Sequence, residues 1–183
     1  MVRLVRVMFG DGNIPEEIDW VTMVLLPKGK GDYWGIGLVE VLWKVRSVVV
    51  NCCLKRSVMF HGTLHGFRER LGTGTATLEA KIAHQLNGIE HEPLFQFFLD
   101  VLKAYDFMDR GRCLKILREY GLGTNLDQLL KNYWKQQRIF PKAGKCLGTA
   151  FDTGRGVTQG YPEPHMIFNI VVDAVVQMLL DVV

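Results

Sequence analysis

The stretch with the clearest chemical potential is PLFQFFLD, residues 93–100, with the acidic turn that follows it. Its apolar run is typical of a buried strand, and it ends abruptly at Asp100. A carboxylate at the end of a central strand, with the carbonyl of Val101 beside it, supplies the hard oxygen ligands that Mg²⁺ prefers. Two such ions, roughly 3.5–4 Å apart, clamp the attacking and leaving oxygens in nucleotidyl transfer. By position alone, an aspartate there more often closes a turn.

Two further acids follow, with an aromatic residue, Tyr105, before the first of them. Asp109 directly precedes a helix predicted from Arg110, and its short carboxylate can accept hydrogen bonds from the free N–H groups of that helix. We therefore interpret Asp109 as a helix N-cap. Asp106 lies in the turn, and its role stays open.

A second stretch, TGRGVTQGYPEP at 153–164, joins a basic, glycine-rich loop to a predicted helix start. Gly156 and Gly160 allow a ligand or another backbone to approach closely. Gln159 between them offers both a donor and an acceptor. Taken alone, this stretch is also compatible with a simple turn before a helix.

Composition bounds the class of protein without identifying it. The chain has 183 residues, 48% of them hydrophobic and 22% charged, which is typical of a globular fold with one core. The formal net charge of +3 lies entirely within residues 1–72. An excess of this size is compatible with a polyanionic partner but does not establish one.

The four cysteines, Cys52, Cys53, Cys113 and Cys146, fit neither a zinc site nor a disulfide framework. Cys52 and Cys53 lie in an apolar run, so we predict that they are buried. We expect an intracellular protein, because no signal peptide is visible. The apolar C-terminal segment is interrupted every four residues from Asn169 to Asp181, which predicts a mostly buried helix rather than a membrane span. Since that helix has no stop signal, we expect the chain to be cut from a larger fold.

Periodicity predicts a strand at 20–26, a loop at 27–35 and a helix that begins near residue 38. The apolar positions of that helix share one face: Leu38, Val41, Leu42, Val45, Val48, Val49 and Cys52. A second helix should begin at 73–77, present Leu78, Ile82 and Leu86, and end at Gly88. Further elements are the strand at 93–100, a helix closed by Gly121, a helix capped by Thr124 or Asn125, a hairpin at 142–145 and a final helix after the Pro162–Pro164 region. This mixed order favours an α+β fold.

Four segments together resemble the reverse transcriptases of non-LTR retroelements and group II introns. Phe98–Asp106 looks like their motif A, and Arg155–Gly160, followed by Pro162 and Phe168-Asn169, looks like their motif B. LLPKGKGDYWGIGL (25–38) and HGFRERLGTGTA (65–76) resemble the two fingers segments. The segments occur in the family's order and span nearly the whole chain.

The resemblance implies a role for each matching residue. Asp100 would be the catalytic metal ligand, with the carbonyl of Val101 as a second ligand. Tyr105 would be the aromatic gate that leaves no room for a ribose 2′-hydroxyl. The substrate-binding set would be Lys28, Lys30, Lys103, Tyr105, Arg155, Gln159 and Gly160, with the first two lysines near the triphosphate or the template backbone. Lys44, Arg46, Lys55 and Arg56 would add positive charge.

The sequence also departs from the family pattern. Trp34 stands where the family has a fingers arginine that meets the incoming nucleotide. Tyr161, Glu163 and His165 replace the usual motif B residues, and we expect Glu163 either to repel a phosphate or to suit a helix N-terminus. The tyrosine-x-Asp-Asp hairpin of motif C, which carries the other metal carboxylates, does not occur in the sequence.

Two other patterns carry less weight. His61 and His65 are four residues apart, but no glutamate follows His61 as in HExxH, so we favour no metal there. GTGTAT at 72–77 lacks the Lys-Ser/Thr of a phosphate loop, and we interpret it as a helix entry.

The sequence thus predicts an α+β right-hand polymerase region with a ferredoxin-like sheet and packed helices. Residues 1–93 would form a fingers-like lobe and residues 94–183 a partial palm without motif C or the thumb. The resemblance implies Mg²⁺ as cofactor, an RNA template, a DNA primer and dNTPs as partners, and no membrane. We expect little activity from this chain alone. The alternative is a non-catalytic remnant that binds nucleic acid.

Overall fold

A four-stranded mixed sheet forms one side of the protein. The computed structural model describes residues 20–91, 93–96 and 98–181. Strands β1 (Trp20–Gly29) and β2 (Asp32–Val39) form an antiparallel hairpin that turns at Lys30 and Gly31. Strand β3 (Arg138–Ala143) runs parallel to β1 and pairs antiparallel with the short β4 (Cys146–Leu147). The order is β2-β1-β3-β4, so strands from both predicted lobes share one sheet.

Six helices occur in the described part of the chain. They are α1 (Val41–Ser57), α2 (Thr73–Glu90), α3 (Ala104–Phe107), α4 (Arg110–Glu119), α5 (Thr124–Gln136) and α6 (Glu163–Leu180). The mixture of helices and strands agrees with an α+β composition. The polymerase architecture and the boundary at residue 93 stay predictions.

The core lies between α1, α4, α5 and α6 and the inner face of the sheet. Its fully buried apolar side chains come from both halves of the chain: Val21, Trp43, Val50, Leu54, Leu117, Leu129, Leu130, Ile139, Ile167 and Ile170. Burying a side chain of this size contributes about 1.5–3 kcal/mol each. Helix α6 packs on α1 and α4 and so connects residues from both halves of the chain.

Helix α1 buries a different face from the one predicted. Val41 and Val48 are 71% and 48% exposed, and Cys52 and Cys53 are exposed as well, against the prediction that both are buried. The buried residues are instead Trp43, Arg46, Ser47, Val50 and Leu54. Apolar periodicity missed this face because two of its five residues are polar, and they are buried only because α6 supplies their partner.

That partner is Glu163, the first residue of α6. Its carboxylate lies 3.5 Å from Nη1 of Arg46 and accepts a hydrogen bond from the hydroxyl of Ser47. The Arg46 guanidinium lies between two rings, 4.4 Å from the centroid of Trp43 and 4.6 Å from that of Tyr133. Arg46 is therefore part of the core and adds no surface charge, contrary to the prediction.

The region between the two lobes also differs from the prediction. Helix α2 begins at Thr73 as expected, and the hydroxyl of Thr75 bonds both the N–H and the C=O of Gly72. It continues through Gly88 to Glu90, and none of its residues is buried. The strand predicted at 93–100 is wrong, because the described residues of this segment are irregular and exposed. Phe98 is 91% exposed, so the apolar run finds no surface to cover it within the described residues.

Several local predictions are confirmed. The side chain of Asp109 accepts a hydrogen bond from the N–H of Arg112 at 2.8 Å and caps α4. Gly121 follows that helix in the left-handed region, with φ of 84°. The hairpin turns at Gly144 and Lys145. The cap predicted at Thr124 or Asn125 is wrong, because Gly123 holds the cap position of α5 without a side-chain bond.

Helix α6 is long and apolar enough to cross a membrane by length and composition. A core helix meets the same two criteria, and α6 buries Ile167, Ile170 and Asp173. Its length is therefore weak evidence for a membrane span.

The Arg46–Glu163 pair makes a prediction about pH. Burial raises the pKa of Glu163 to about 6, because it outweighs the opposing effect of Arg46. A folded-state pKa above the unfolded value favours folding fully below pH 4.5, and this advantage is lost as the pH rises through 6. The free energy of unfolding of the wild type, relative to Glu163→Gln, should fall by about 2 kcal/mol between pH 4 and pH 7.

Urea titrations at several pH values measure this difference. Glu119→Gln, an exposed carboxylate on α4, is the matched control and should leave the pH profile of the wild type unchanged. Parallel profiles for the wild type and Glu163→Gln would contradict the raised pKa.

Candidate functional site

Asp100 and Val101 lie on an exposed, irregular segment rather than at the end of a strand. No hydrogen bond, ion pair or ring contact within the described residues connects Asp100 to Tyr105 or to residues 153–160. Nor do 20–91, 93–96 and 98–181 contain a group of three His, Cys, Asp or Glu side chains that could hold a metal ion. The metal site that the sequence predicts at Asp100 therefore stays a prediction.

Tyr105 lies on α3, a single turn that a left-handed residue initiates. Lys103, with φ of 46°, directs its carbonyl to the N–H groups of Asp106 and Phe107 at 2.9 and 3.1 Å. The Tyr105 ring is half-buried, and burial raises the pKa of its hydroxyl. Its centroid lies 5.2 Å from that of Phe168, on the second turn of α6. Phe168 therefore packs against the Tyr105 ring from α6, while Lys103, two residues before Tyr105, remains exposed.

The loop of residues 153–160, which we call the glycine loop, docks on this turn through its backbone. The N–H of Val157 donates to the carbonyl of Tyr105 at 2.9 Å, and that of Gly156 donates to the carbonyl of Met108 at 2.7 Å. A Cβ atom on Gly156 would lie 2.7 Å from the Asp106 carbonyl oxygen, so only glycine fits. The guanidinium of Arg155 lies 4.3 Å above the Phe107 ring. The stretches that carry Tyr105 and Arg155 therefore contact each other through the Val157–Tyr105 hydrogen bond and the Arg155–Phe107 contact.

The other end of the glycine loop rests on strand β2. The N–H of Gly37 donates to the carbonyl of Gln159 at 2.9 Å. A Cβ atom on Gly160, where φ is 119°, would overlap the carbonyl oxygen of Gly37. Gln159 and Gly160 remain exposed on their outer side. The close approach of these two glycine backbones sets the position of Gln159 relative to the hairpin.

Lys28 and Lys30 lie near the tip of the hairpin and are exposed. The ammonium group of Lys28 lies 5.4 Å from the ring centroid of Trp34 on the paired strand. Trp34, which departs from the family pattern, is 55% exposed and is thus a platform beside a cation. The described hairpin leaves both lysines available to an anionic ligand.

The three other departures have structural explanations. Tyr161 and Glu163 are each 2% exposed and belong to the core, and Glu163 lies in the first turn of α6, which is the second of the two roles expected for it. His165 is half-buried, with its ring centroid 4.4 Å from that of Phe67 and 5.6 Å from that of Tyr105. It therefore links the glycine-loop side of the site to residues 58–72.

A basic groove lies between the end of α1 and residues 58–69. The positive charges of Lys55 and Arg56 were predicted from the sequence, but the groove was not. Its cavity of about 600 Å³ is lined by Lys55, Arg56, Phe60, Phe67, Arg68 and Glu69, among others. Phe67 has φ of 52°, a costly conformation for an aromatic residue, and its ring is 56% exposed. Cations beside exposed rings suit a nucleic-acid strand, since phosphates meet the charges and bases stack on the rings.

Residues 61–68 are held by polar side chains of α6 that recur every four residues. This spacing is visible in the sequence, but no role was predicted for it. The carboxylate of Asp173 accepts from the N–H of His61 at 2.8 Å and from the hydroxyl of Tyr120 at 2.7 Å. The amide of Asn169 donates to the carbonyl of Gly66 at 2.6 Å. These bonds position Phe67 beside His165. A polar side chain every four residues on an apolar helix was the available signal.

The two histidines considered as metal ligands have other partners. The ring of His61 bonds the hydroxyl of Thr63 at 2.9 Å. The ring of His65 bonds the hydroxyl of Thr75 at 2.7 Å and the carboxylate of Glu79 at 2.9 Å. His65 thus connects residues 58–72 to α2.

Comparison with known proteins places this site in context. No protein-family model matches the sequence. Among curated proteins, the chain is similar to the retrovirus-related Pol polyprotein from the type-2 retrotransposable element R2DM of Drosophila melanogaster. The two are 24% identical over 187 residues, which cover 98% of this chain and 17% of the polyprotein. The chain therefore spans less than a fifth of the length of this relative, and the similarity includes the stretches that carry Tyr105 and the glycine loop.

The fit of Gly156 against α3 can be tested by adding one methyl group. Gly156→Ala should lower the free energy of unfolding by about 1–3 kcal/mol, because its φ of 81° is strained for alanine and the new Cβ meets the carbonyls of Tyr105 and Asp106. Gly154→Ala is the matched control, since its Cβ would have no neighbour within 4 Å. Urea denaturation measures both, and equal stability of the two variants would contradict the docking of the loop.

Proposed function

We propose that this chain is the nucleotide- and nucleic-acid-binding region of an RNA-directed DNA polymerase of the non-LTR retroelement type. Its partners would be an RNA template, a DNA primer and dNTPs, and the longer protein would add deoxynucleotides to the primer 3′-hydroxyl. The observation that carries the proposal is the hydrogen bond from Val157 to Tyr105, which joins the two motif-like stretches into one surface. The similarity to a retroelement Pol polyprotein supports the same class.

In this proposal the described residues select and hold the nucleotide. The Tyr105 ring, backed by His165 and Phe168, would fill the space that a ribose 2′-hydroxyl needs. Lys103 and Arg155 are exposed cations on either side of α3 and would attract the triphosphate. Gln159 and Gly160 would contact the base pair or the primer, and Lys28 and Lys30 the template backbone.

The Mg²⁺ chemistry of such polymerases does not fit the described residues by themselves. Two ions need several carboxylates at fixed distances, whereas Asp100 and the carbonyl of Val101 lie on an exposed irregular segment. The proposal for this chain is therefore one of binding and nucleotide selection. Asp100 is kept as the catalytic carboxylate proposed for the longer protein.

A second candidate function is nucleic-acid binding without chemistry. The basic groove favours it, because Lys55, Arg56 and Phe67 form a surface that can hold a strand whether or not a metal site exists. The two candidate functions differ in whether Asp100 is needed for DNA synthesis, and both require the chain to bind nucleic acid.

Binding through the basic groove can be measured by the salt dependence of RNA affinity. We expect Lys55→Gln/Arg56→Gln to flatten the slope of log K against log salt concentration by roughly 1 to 2. With two fewer cations to neutralise phosphates, fewer counterions are released when the RNA binds. Fluorescence anisotropy with a labelled single-stranded RNA gives the slope. Lys81→Gln/Lys115→Gln removes the same charge from α2 and α4 and is the control. Equal slopes for the two double variants would exclude the groove as the binding surface.

Primer extension separates the enzyme from the binding module. We expect residues 1–183 to bind a primer–template but to extend it little or not at all. In the longer protein, Asp100→Ala should abolish extension and change primer–template affinity less than twofold. Asp109→Asn keeps the helix cap of α4 and is the control. Undiminished extension by Asp100→Ala would remove the proposed catalytic role, and robust extension by residues 1–183 would show that the described surface suffices.

A further inference from the structure

Arg110, the first residue of α4, makes an unusual set of hydrogen bonds. Its Nε donates to the carbonyl of Gly156 at 2.7 Å, and its Nη2 donates to the hydroxyl of Thr153 at 2.7 Å. Its Nη1 donates to the carbonyls of Thr153 and Trp134, at 2.5 and 3.0 Å. One guanidinium thus binds the glycine loop at two residues and the last turn of α5 at a third.

The acceptors of this guanidinium are all neutral. Among the described residues Arg110 forms no ion pair with a carboxylate, although the group is partly buried and burial lowers its pKa. The planar fork of arginine can direct several N–H groups to separate oxygens at once, whereas a lysine ammonium is a point donor. Three of its four acceptors are backbone carbonyls, so the guanidinium holds the backbone of the glycine loop against the last turn of α5.

Gly156 is therefore held from both sides. Its carbonyl accepts from Arg110, and its N–H donates to the carbonyl of Met108, two residues before Arg110. The adjacent N–H of Val157 donates to Tyr105. Residues 105–110 and 153–157 consequently form one closed set of hydrogen bonds, in which the guanidinium of Arg110 donates to the glycine loop three times.

We propose that Arg110 is a positioning residue, which fixes residues 153–157 on the backbone of Tyr105 and so fixes the position of the glycine loop beside that ring. Losing the fork releases Thr153 and the carbonyl of Gly156, and the glycine loop then moves away from α3. Sugar selection at Tyr105 would follow from this contact. That last step rests on the proposed function, whereas the positioning of the loop does not.

Hydrogen exchange tests the positioning directly on the whole chain. In Arg110→Gln and Arg110→Lys, the amides of Gly156 and Val157 should exchange at least tenfold faster, while the interiors of α4 and α5 change less than twofold. Arg112→Gln, an exposed arginine on the same turn, is the matched control and should leave all these amides unchanged. No acceleration at 156 and 157 would overturn the proposal, and so would an equal acceleration throughout α4 and α5, which is the result of general destabilisation.

Nucleotide selection tests the consequence. With a primer–template present, the preference for binding dCTP over CTP should fall several-fold in Arg110→Gln, and Arg110→Lys should not restore it. An unchanged preference would overturn the role in selection and leave Arg110 as a loop anchor. If the wild type binds neither nucleotide, the proposed function fails, and hydrogen exchange still decides whether Arg110 positions the loop.

Discussion

The buried contact between Arg46 and Glu163 joins parts of the chain that are 117 residues apart, and much of the fold is arranged around it. Two charges removed from water are stabilised only when their geometry and remaining hydrogen bonds are satisfied, and losing one partner costs several kcal/mol. Ser47 bonds the carboxylate, and Trp43 and Tyr133 enclose the guanidinium. Helices α1, α5 and α6 therefore meet at one point.

That point lies immediately after the glycine loop, since Glu163 is the first residue of α6. The position of the helix start therefore also constrains the loop, in which Val157 and Thr158 are themselves buried. Contacts at Gly37, Tyr105 and Arg110 supply the rest. A loop held at so many points presents Arg155 and Gln159 in a defined position, which is what a nucleotide site needs because misplaced groups lose most of their effect.

Buried polar side chains also hold a segment that has no regular secondary structure. Asn169 and Asp173 are buried on α6 because they satisfy the backbone of residues 61–66 and the hydroxyl of Tyr120. A segment without regular secondary structure gains its position from such bonds rather than from a ladder. The rings of Phe67, His165 and Tyr105, which pack in tilted and edge-on pairs, then extend from this segment to α3. The basic groove and the glycine loop are in this way parts of one surface.

Features that depend on neighbours along the chain could be predicted from the residues alone: the strand at Trp20, the start of α2, the cap at Asp109, the turn at Gly144 and the close approaches that Gly156 and Gly160 allow. The sequence also identified, by resemblance, the stretches that meet at Tyr105. The buried face of α1 could not be predicted in this way, because an arginine and a serine are buried there by a glutamate far away in sequence. Nor could the residues alone show that the described part of the apolar run before Asp100 forms no strand. A strand needs a partner for its backbone, and no pattern within a single segment can specify that partner.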